Sequence, residues 1–192
     1  MTERLTLNFD GGSRGNPGPS GIGFVLSAAD GTPLVAKGKF IGQATNNIAE
    51  YKSLIAGMQE ALKLGASKIL IRGDSELIVK QMRGEYRVKN PGLRELYEQA
   101  QEVLSKFEHA TFEHNLRHKN VLADKLANLA MDKRKDVSDA DLPGGEDAPA
   151  SGGPISNAQY ACPNCGSEIE VTHPSTDPGP FTCPCGGRME KR

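Results

Sequence analysis

The stretch LTLNFDGGSRGNPGP, Leu5 to Pro19, constrains this chain more than any other. Leu5, Leu7 and Phe9 alternate with polar residues, the period of a half-buried strand, and the strand delivers Asp10 into a glycine-rich turn. A carboxylate at a strand end, followed by backbone almost bare of side chains, lets a large ligand approach closely. Gly11, Gly12, Gly15 and Gly18 leave amides accessible there, and Asn16 adds a side chain that both donates and accepts hydrogen bonds. Taken alone, Asp10-Gly11 also reads as an ordinary hairpin turn. No Gly-Lys-Ser/Thr follows, so the stretch is not a Walker phosphate loop.

Three further carboxylates fall at comparable places. Runs 21–28 and 34–41 alternate and are joined by Asp30-Gly31, the signal of a hairpin. In TNNIAEYKSLIAGMQEALKLGA, Tyr51, Leu54, Ile55, Met58, Ala61 and Leu62 share one helical face, with Thr45 or Asn47 as the cap and Gly65 as the stop. Glu50 then lies in the first turn, off the apolar stripe, where a capping box with Asn47 and a catalytic role both remain open. SKILIR, 67–72, is a buried strand that runs straight into Asp74, and Ser75 caps a short helix over 76–83. Pro91 opens the next helix, whose stripe is Leu93, Leu96, Tyr97, Ala100, Val103, Leu104 and Phe107. A last strand, 110–116, leads to a helix that Asn120 caps, with Ala123, Leu126, Ala127 and Ala130 as its narrow buried seam. Asp124 sits one turn into that helix, where the dipole also tolerates a lone acid.

The expected front domain, residues 1–135, is therefore α/β. Three antiparallel strands and two more form a mixed five-stranded sheet flanked by helices. Residues 136–159 lack aromatics and period, are rich in Asp, Gly, Pro, Ala and Ser, and read as a disordered linker. Residues 1–135 carry 20 Lys/Arg against 15 Asp/Glu, a net +5 that favours a polyanionic partner. There is no apolar leader and no run of roughly 18 apolar residues, so neither a secretory signal nor a membrane span is expected. The reading is cytoplasmic and monomeric.

Asp10, Glu50, Asp74 and Asp124 have no neighbouring Lys or Arg that would pair them in sequence, apart from Lys125 beyond the last. Crowded together they would repel one another unless divalent cations neutralised them, and an all-oxygen set selects Mg²⁺ or Mn²⁺ over zinc. Two such ions roughly 4 Å apart activate a water and stabilise the leaving oxygen of a phosphodiester. The pattern points to a nuclease.

The segments DGGSRGNPGPSGIG, TNNIAEYKSLIAGMQEAL, IRGDSELIVKQMRGEY and HNLRHKNVLADKLANLA together resemble the type 1 ribonuclease H family over about residues 3–131. The resemblance implies that Asp10, Glu50, Asp74 and Asp124 are the metal-binding carboxylates. It implies cleavage of the RNA strand of RNA/DNA hybrids by two-metal catalysis, leaving 5′-phosphate and 3′-hydroxyl ends. His114, ten residues before Asp124, matches a histidine that assists product release, with His118 as a competitor. Gly11, Gly12, Asn16, Asn46 and Asn47 match contacts to successive 2′-hydroxyls, groups that need amide-like partners; Thr45 and Asn120 are placed in the same substrate-binding set. The chain departs from many relatives in having only GEYRVKNPG where they insert a basic helix and loop. The alternatives are a broader ribonuclease acting on double-stranded RNA, or a non-catalytic nucleic-acid-binding module of the same fold.

All four cysteines follow residue 160. Cys162, Cys165, Cys183 and Cys185 have the spacing C-x₂-C-x₁₇-C-x-C, near that of a zinc ribbon but one residue short in the second turn, and His173 is an alternative ligand. A segment as small as 160–192 needs a staple, and in a reducing compartment zinc is favoured over disulfides. Tyr160, Phe181 and Arg188 offer contacts to nucleic acid, and a protein partner is the alternative.

Overall fold

The computed structural model describes residues 4–115 and 120–142, together with the backbone of 158–161, 168–171 and 190–191. The chain divides into two compact units, Met1–Gly145 and Glu146–Arg192.

The first unit is built on strands β1 (Leu5–Ser13), β2 (Gly18–Ser27) and β3 (Pro33–Ala44), helix α1 (Asn46–Lys63) and β4 (Lys68–Gly73). Then follow α2 (Glu76–Met82), α3 (Pro91–Leu104), β5 (His109–His114), α4 (Val121–Lys133) and β6 (Val137–Ser138). The sheet order is β5-β4-β1-β2-β3-β6. β1 to β3 form an antiparallel meander, while β4 and β5 lie parallel to β1 and to each other. A parallel neighbour requires a crossover, and α1 supplies the one from the meander to β4. The expected α/β architecture with a mixed sheet and flanking helices is observed.

The sheet has six strands, not five. The sixth is Val137–Ser138, which pairs antiparallel with β3 at Lys37 and Gly38. It lies inside the segment read as linker, and a turn of 3₁₀ helix, Asp139–Asp141, follows it. Val137 is buried against the seam of α4, and the Asp141 carboxylate accepts from the Ser138 amide at 3.0 Å and from Lys133 Nζ at 3.1 Å. One buried valine and a closing carboxylate hold these residues to the domain.

Strand alternation divides the core in two. Leu5, Leu7, Phe9, Phe24 and Leu26 pack with Tyr51, Leu54 and Met58 of α1 and with residues of α2 and α3. Val25 and Ala36 point the other way and pack with Ala123, Leu126 and Ala130 of α4. The small seam of α4 lets it lie close to the sheet. A Cβ added to Gly23 would stand 2.0 Å from the Ala123 carbonyl oxygen, so only glycine fits there.

The helix ends follow the chemistry of their caps. Thr45 Oγ1 accepts from the Ile48 amide at 3.4 Å, and Gly65, at φ +78°, closes α1 in the left-handed region. Asn90 accepts from the Gly92 and Leu93 amides and starts α3 just before Pro91. With Thr45 as cap, Glu50 lies beyond the first turn and is 5% exposed, which removes the capping box with Asn47.

The second unit contains β7 (Ala158–Ala161), β8 (Glu168–Val171) and β9 (Glu190–Lys191) in an antiparallel sheet of order β8-β7-β9. The four cysteines and His173 lie outside the described residues, as does His118.

Candidate active site

Four segments converge on β1 at Asp10, which lies within the strand and not at its end, because pairing with β2 continues to Ser13. β1 carries Asp10 in register with Gly23, the glycine against which α4 is seated. α1 brings Glu50 in over Gly11, the end of β4 leads into Asp74, and α4 supplies Asp124 from the opposite face. Carboxylate oxygens of Asp10, Glu50 and Asp74 all lie within 4.8 Å of one another. Asp124 hydrogen-bonds to Asp10. All four acids line one cavity of about 330 Å³, together with Gly11, Gly12 and Asn46.

Packing acids this closely has an electrostatic cost, and Asp10 registers it. Burial, then the negative charges of Asp74 and Asp124, then the hydrogen bond with Asp124 push its carboxyl up to about 7, against a slight opposing pull from the Gly11 amide. A cluster of oxygen donors that raises the pKa of its own member fits a hard divalent cation, which would relieve the repulsion. The donor set contains no sulfur or nitrogen and so suits Mg²⁺ or Mn²⁺ better than zinc.

The rim beside the acids is held by hydroxyl clamps. Ser13 Oγ and Ser20 Oγ both donate to the Ala44 carbonyl, at 2.9 and 3.0 Å, tying the β1–β2 turn to the start of α1. This brings Asn16 to Asn46, whose backbone amide donates to Asn16 Oδ1 at 3.2 Å. Asn16 and Asn46 are exposed, while Thr45 and Asn47 are partly covered. His114 ends β5, exposed, with Nε2 3.2 Å from the Asp74 carbonyl oxygen.

Asn120 faces inward. It is 2% exposed, and its Nδ2 donates to the Phe9 carbonyl at 2.8 Å and to Asp74 Oδ1 at 3.4 Å. It is the residue before α4, but its side chain caps nothing there.

A family model described as "Reverse transcriptase-like" matches residues 8–130. A ribonuclease H1 of Halobacterium salinarum, known from its crystal structure, is 44% identical and superimposes with a TM-score of 0.67 over 68% of this chain and 98% of that one. The chain belongs to the ribonuclease H1 family. LC11-RNase H1, solved in complex with an RNA/DNA hybrid, is 39% identical with a TM-score of 0.65, covering 68% of this chain and 98% of that one. A bifunctional protein of Mycobacterium tuberculosis is 48% identical over 139 residues, 72% of this chain. Those residues span only 38% of that longer relative.

The cavity of this family member is also lined by Ser13, Arg14, Asn128 and Met131, which the sequence does not single out. Arg14 reaches the site from the glycine turn and pairs with Asp132, and Asn128 donates from Nδ2 to the Asp124 carbonyl at 3.0 Å. Asn128 is four residues beyond Asp124, and that helical spacing was the available signal. Among the described residues, no helix is long and apolar enough to cross a membrane.

Proposed function

We propose that the first unit is a divalent-metal-dependent endonuclease that hydrolyses the RNA strand of RNA/DNA hybrids and leaves 5′-phosphate and 3′-hydroxyl ends. The observation that carries the reading is the meeting of Asp10, Glu50 and Asp74 oxygens within 4.8 Å beside an amide-lined rim. Family membership and a hybrid-bound relative at 39% identity support the substrate class.

Asp10, Glu50, Asp74 and Asp124 would hold two divalent ions, which supply an activated water and neutralise charge on the leaving oxygen. The residues around them orient the hybrid. Asn16 Oδ1 is engaged by the Asn46 amide, so Nδ2 is the donor that this side chain offers to a 2′-hydroxyl. Gly11, Gly12, Thr45 and Asn47 complete the rim, and the absent side chains of Gly11 and Gly12 make room for α1 and for Met131 of α4. His114 stands beside Asp74, where it would assist product departure. Arg14, exposed at the cavity mouth, gives a phosphate a cation. The protein works in the cytoplasm as a monomer, and its C-terminal cysteines bind zinc in a module that adds affinity for nucleic acid.

The test is cleavage of matched RNA/DNA, RNA/RNA and DNA/DNA duplexes with Mg²⁺ or Mn²⁺, using wild type, Asp10→Asn and Asp74→Asn. Cleavage of the hybrid's RNA strand by wild type alone is expected, with all three proteins folded by circular dichroism. Near wild-type rates in either variant would refute the reading, and comparable cutting of double-stranded RNA would move it to a broader ribonuclease.

A further inference from the structure

The buried side chain of Asn120 joins β1 to the residue after β4, and its backbone carbonyl meets α4. Its Nδ2 bonds the carbonyl of Phe9, the residue before Asp10, and a carboxylate oxygen of Asp74. Its backbone carbonyl accepts from the Asp124 amide at 3.1 Å, the bond that opens α4. One residue thus touches the middle of β1 and the residue after β4 with its side chain, and the first turn of the helix that carries Asp124 with its backbone.

The orientation of the amide is dictated by chemistry. Both groups facing Nδ2 are acceptors, so the opposite setting would place Oδ1 against a carbonyl and a carboxylate. Oδ1 is then left buried with no hydrogen-bond partner. A buried acceptor left unsatisfied is costly, so the side chain is retained for its donor. Its position also separates it from substrate. At 2% exposure it offers nothing to a 2′-hydroxyl, in contrast to the exposed Asn16 and Asn46.

We infer that Asn120 is a positioning residue: through Nδ2 it fixes Asp74 relative to Asp10 and so sets the spacing of the cation-binding oxygens. The inference rests on the metal-dependent reading above, yet cation binding alone can test it. A carboxylate held by a fixed donor cannot swing away from its neighbours when they repel it. Without that donor the metal-free cluster relaxes outward, and binding must first draw it together.

The experiment compares wild type, Asn120→Ala and Asn120→Ser as full chains. Mn²⁺ affinity is measured by calorimetry without substrate, kcat and KM on an RNA/DNA hybrid, and thermal unfolding in parallel. Residues that orient metal ligands typically control about 10- to 100-fold in affinity or activity. Asn120→Ala is therefore expected to lose that much Mn²⁺ affinity and kcat, with KM for the hybrid within about twofold of wild type. Asn120→Ser keeps a small donor and should recover part of both. A raised KM with kcat and Mn²⁺ affinity intact would make Asn120 a substrate contact and overturn the inference, as would unchanged Mn²⁺ affinity in a folded variant. If Asn120→Ala fails to fold, Asn120→Ser decides by the same criteria with a smaller expected loss. A wild-type chain that binds Mn²⁺ but cuts no hybrid would sink the proposed function while leaving this test readable.

Discussion

Gly11 and Ala49 are in closer contact than any side chain at position 11 would allow. A Cβ built on Gly11 would stand 2.2 Å from the Ala49 carbonyl carbon, 2.5 Å from its oxygen and 2.4 Å from the Glu50 nitrogen. The absent side chain therefore sets how near Glu50 comes to Asp10. On the opposite face Gly23 does the same for α4, against the Ala123 carbonyl next to Asp124. Gly11→Ala must push the start of α1 off the sheet, because backbone rather than a flexible side chain is in the way. Overpacking of this kind costs about 1–3 kcal/mol, and a shift of roughly 1 Å in a reacting geometry costs about 10²-fold in rate. Lower kcat on the hybrid is expected for both Gly11→Ala and Gly23→Ala, beyond what any fall in unfolding temperature accounts for. Wild-type kcat in a folded Gly11→Ala protein would show that Glu50 tolerates displacement.

Asp10 makes the metal-free protein sensitive to pH. Its carboxyl is raised from the usual 3.8 to about 7, with burial the largest cause and the neighbouring acids next. Below about pH 3.8 both folded and unfolded chains hold the proton, and Asp10 costs nothing. Between 3.8 and 7 the unfolded chain releases the proton while the folded chain keeps it, so the stability contributed by the protonated form is lost as pH rises. Above 7 both are ionised and the penalty is constant. Asp10→Asn removes this dependence. In a chelator, its unfolding temperature should exceed that of wild type at pH 7.5, and the gain should shrink steadily towards pH 4. Saturating Mg²⁺ should reduce the gain, since cations relieve in wild type the repulsion that the substitution removes. A gain independent of pH would show that Asp10 is not strained by its charge.

Most of the domain was legible because its elements carry strong periods. The alternation of Leu5, Leu7 and Phe9, and the stripe from Tyr51 to Leu62, are local patterns that the core then uses directly. The strand end expected before Asp74 is observed, whereas β1 runs on to Ser13, so Asp10 lies within the strand rather than at its end. What escaped was non-local or too short to have a period. Val137–Ser138 is a two-residue strand stabilised by one valine against α4, within a run of acids and small residues. The inward turn of Asn120 depends on Phe9, 111 residues away in sequence, so its position before α4 suggested a cap instead. Glu50 was placed in the first turn because Asn47 and Thr45 are both competent caps. The choice of Thr45 moves the numbering by two and turns Glu50 inward.

In sequence, Cys162 and Cys165 lie between β7 and β8, and Cys183 and Cys185 between β8 and β9, one pair of thiols in each interval. Two such pairs of thiolates match the ligand set of a four-sulfur zinc site, whose binding energy would stabilise a small unit. The full chain should therefore contain one zinc per molecule. The partner chain for comparison should end at Gly145, the limit of the first unit, because ending at Lys135 would remove Val137 and expose the α4 seam. That shorter chain should contain no zinc and should keep its unfolding temperature. A second binding surface on the same chain raises the local concentration of substrate. The full chain is accordingly expected to bind hybrid more tightly, with a steeper dependence on salt if Arg188 and the terminal basic residues meet phosphates. Equal zinc content in the two chains would refute the metal site. Equal affinity and equal salt slope would leave the zinc in place and assign the module to a protein partner.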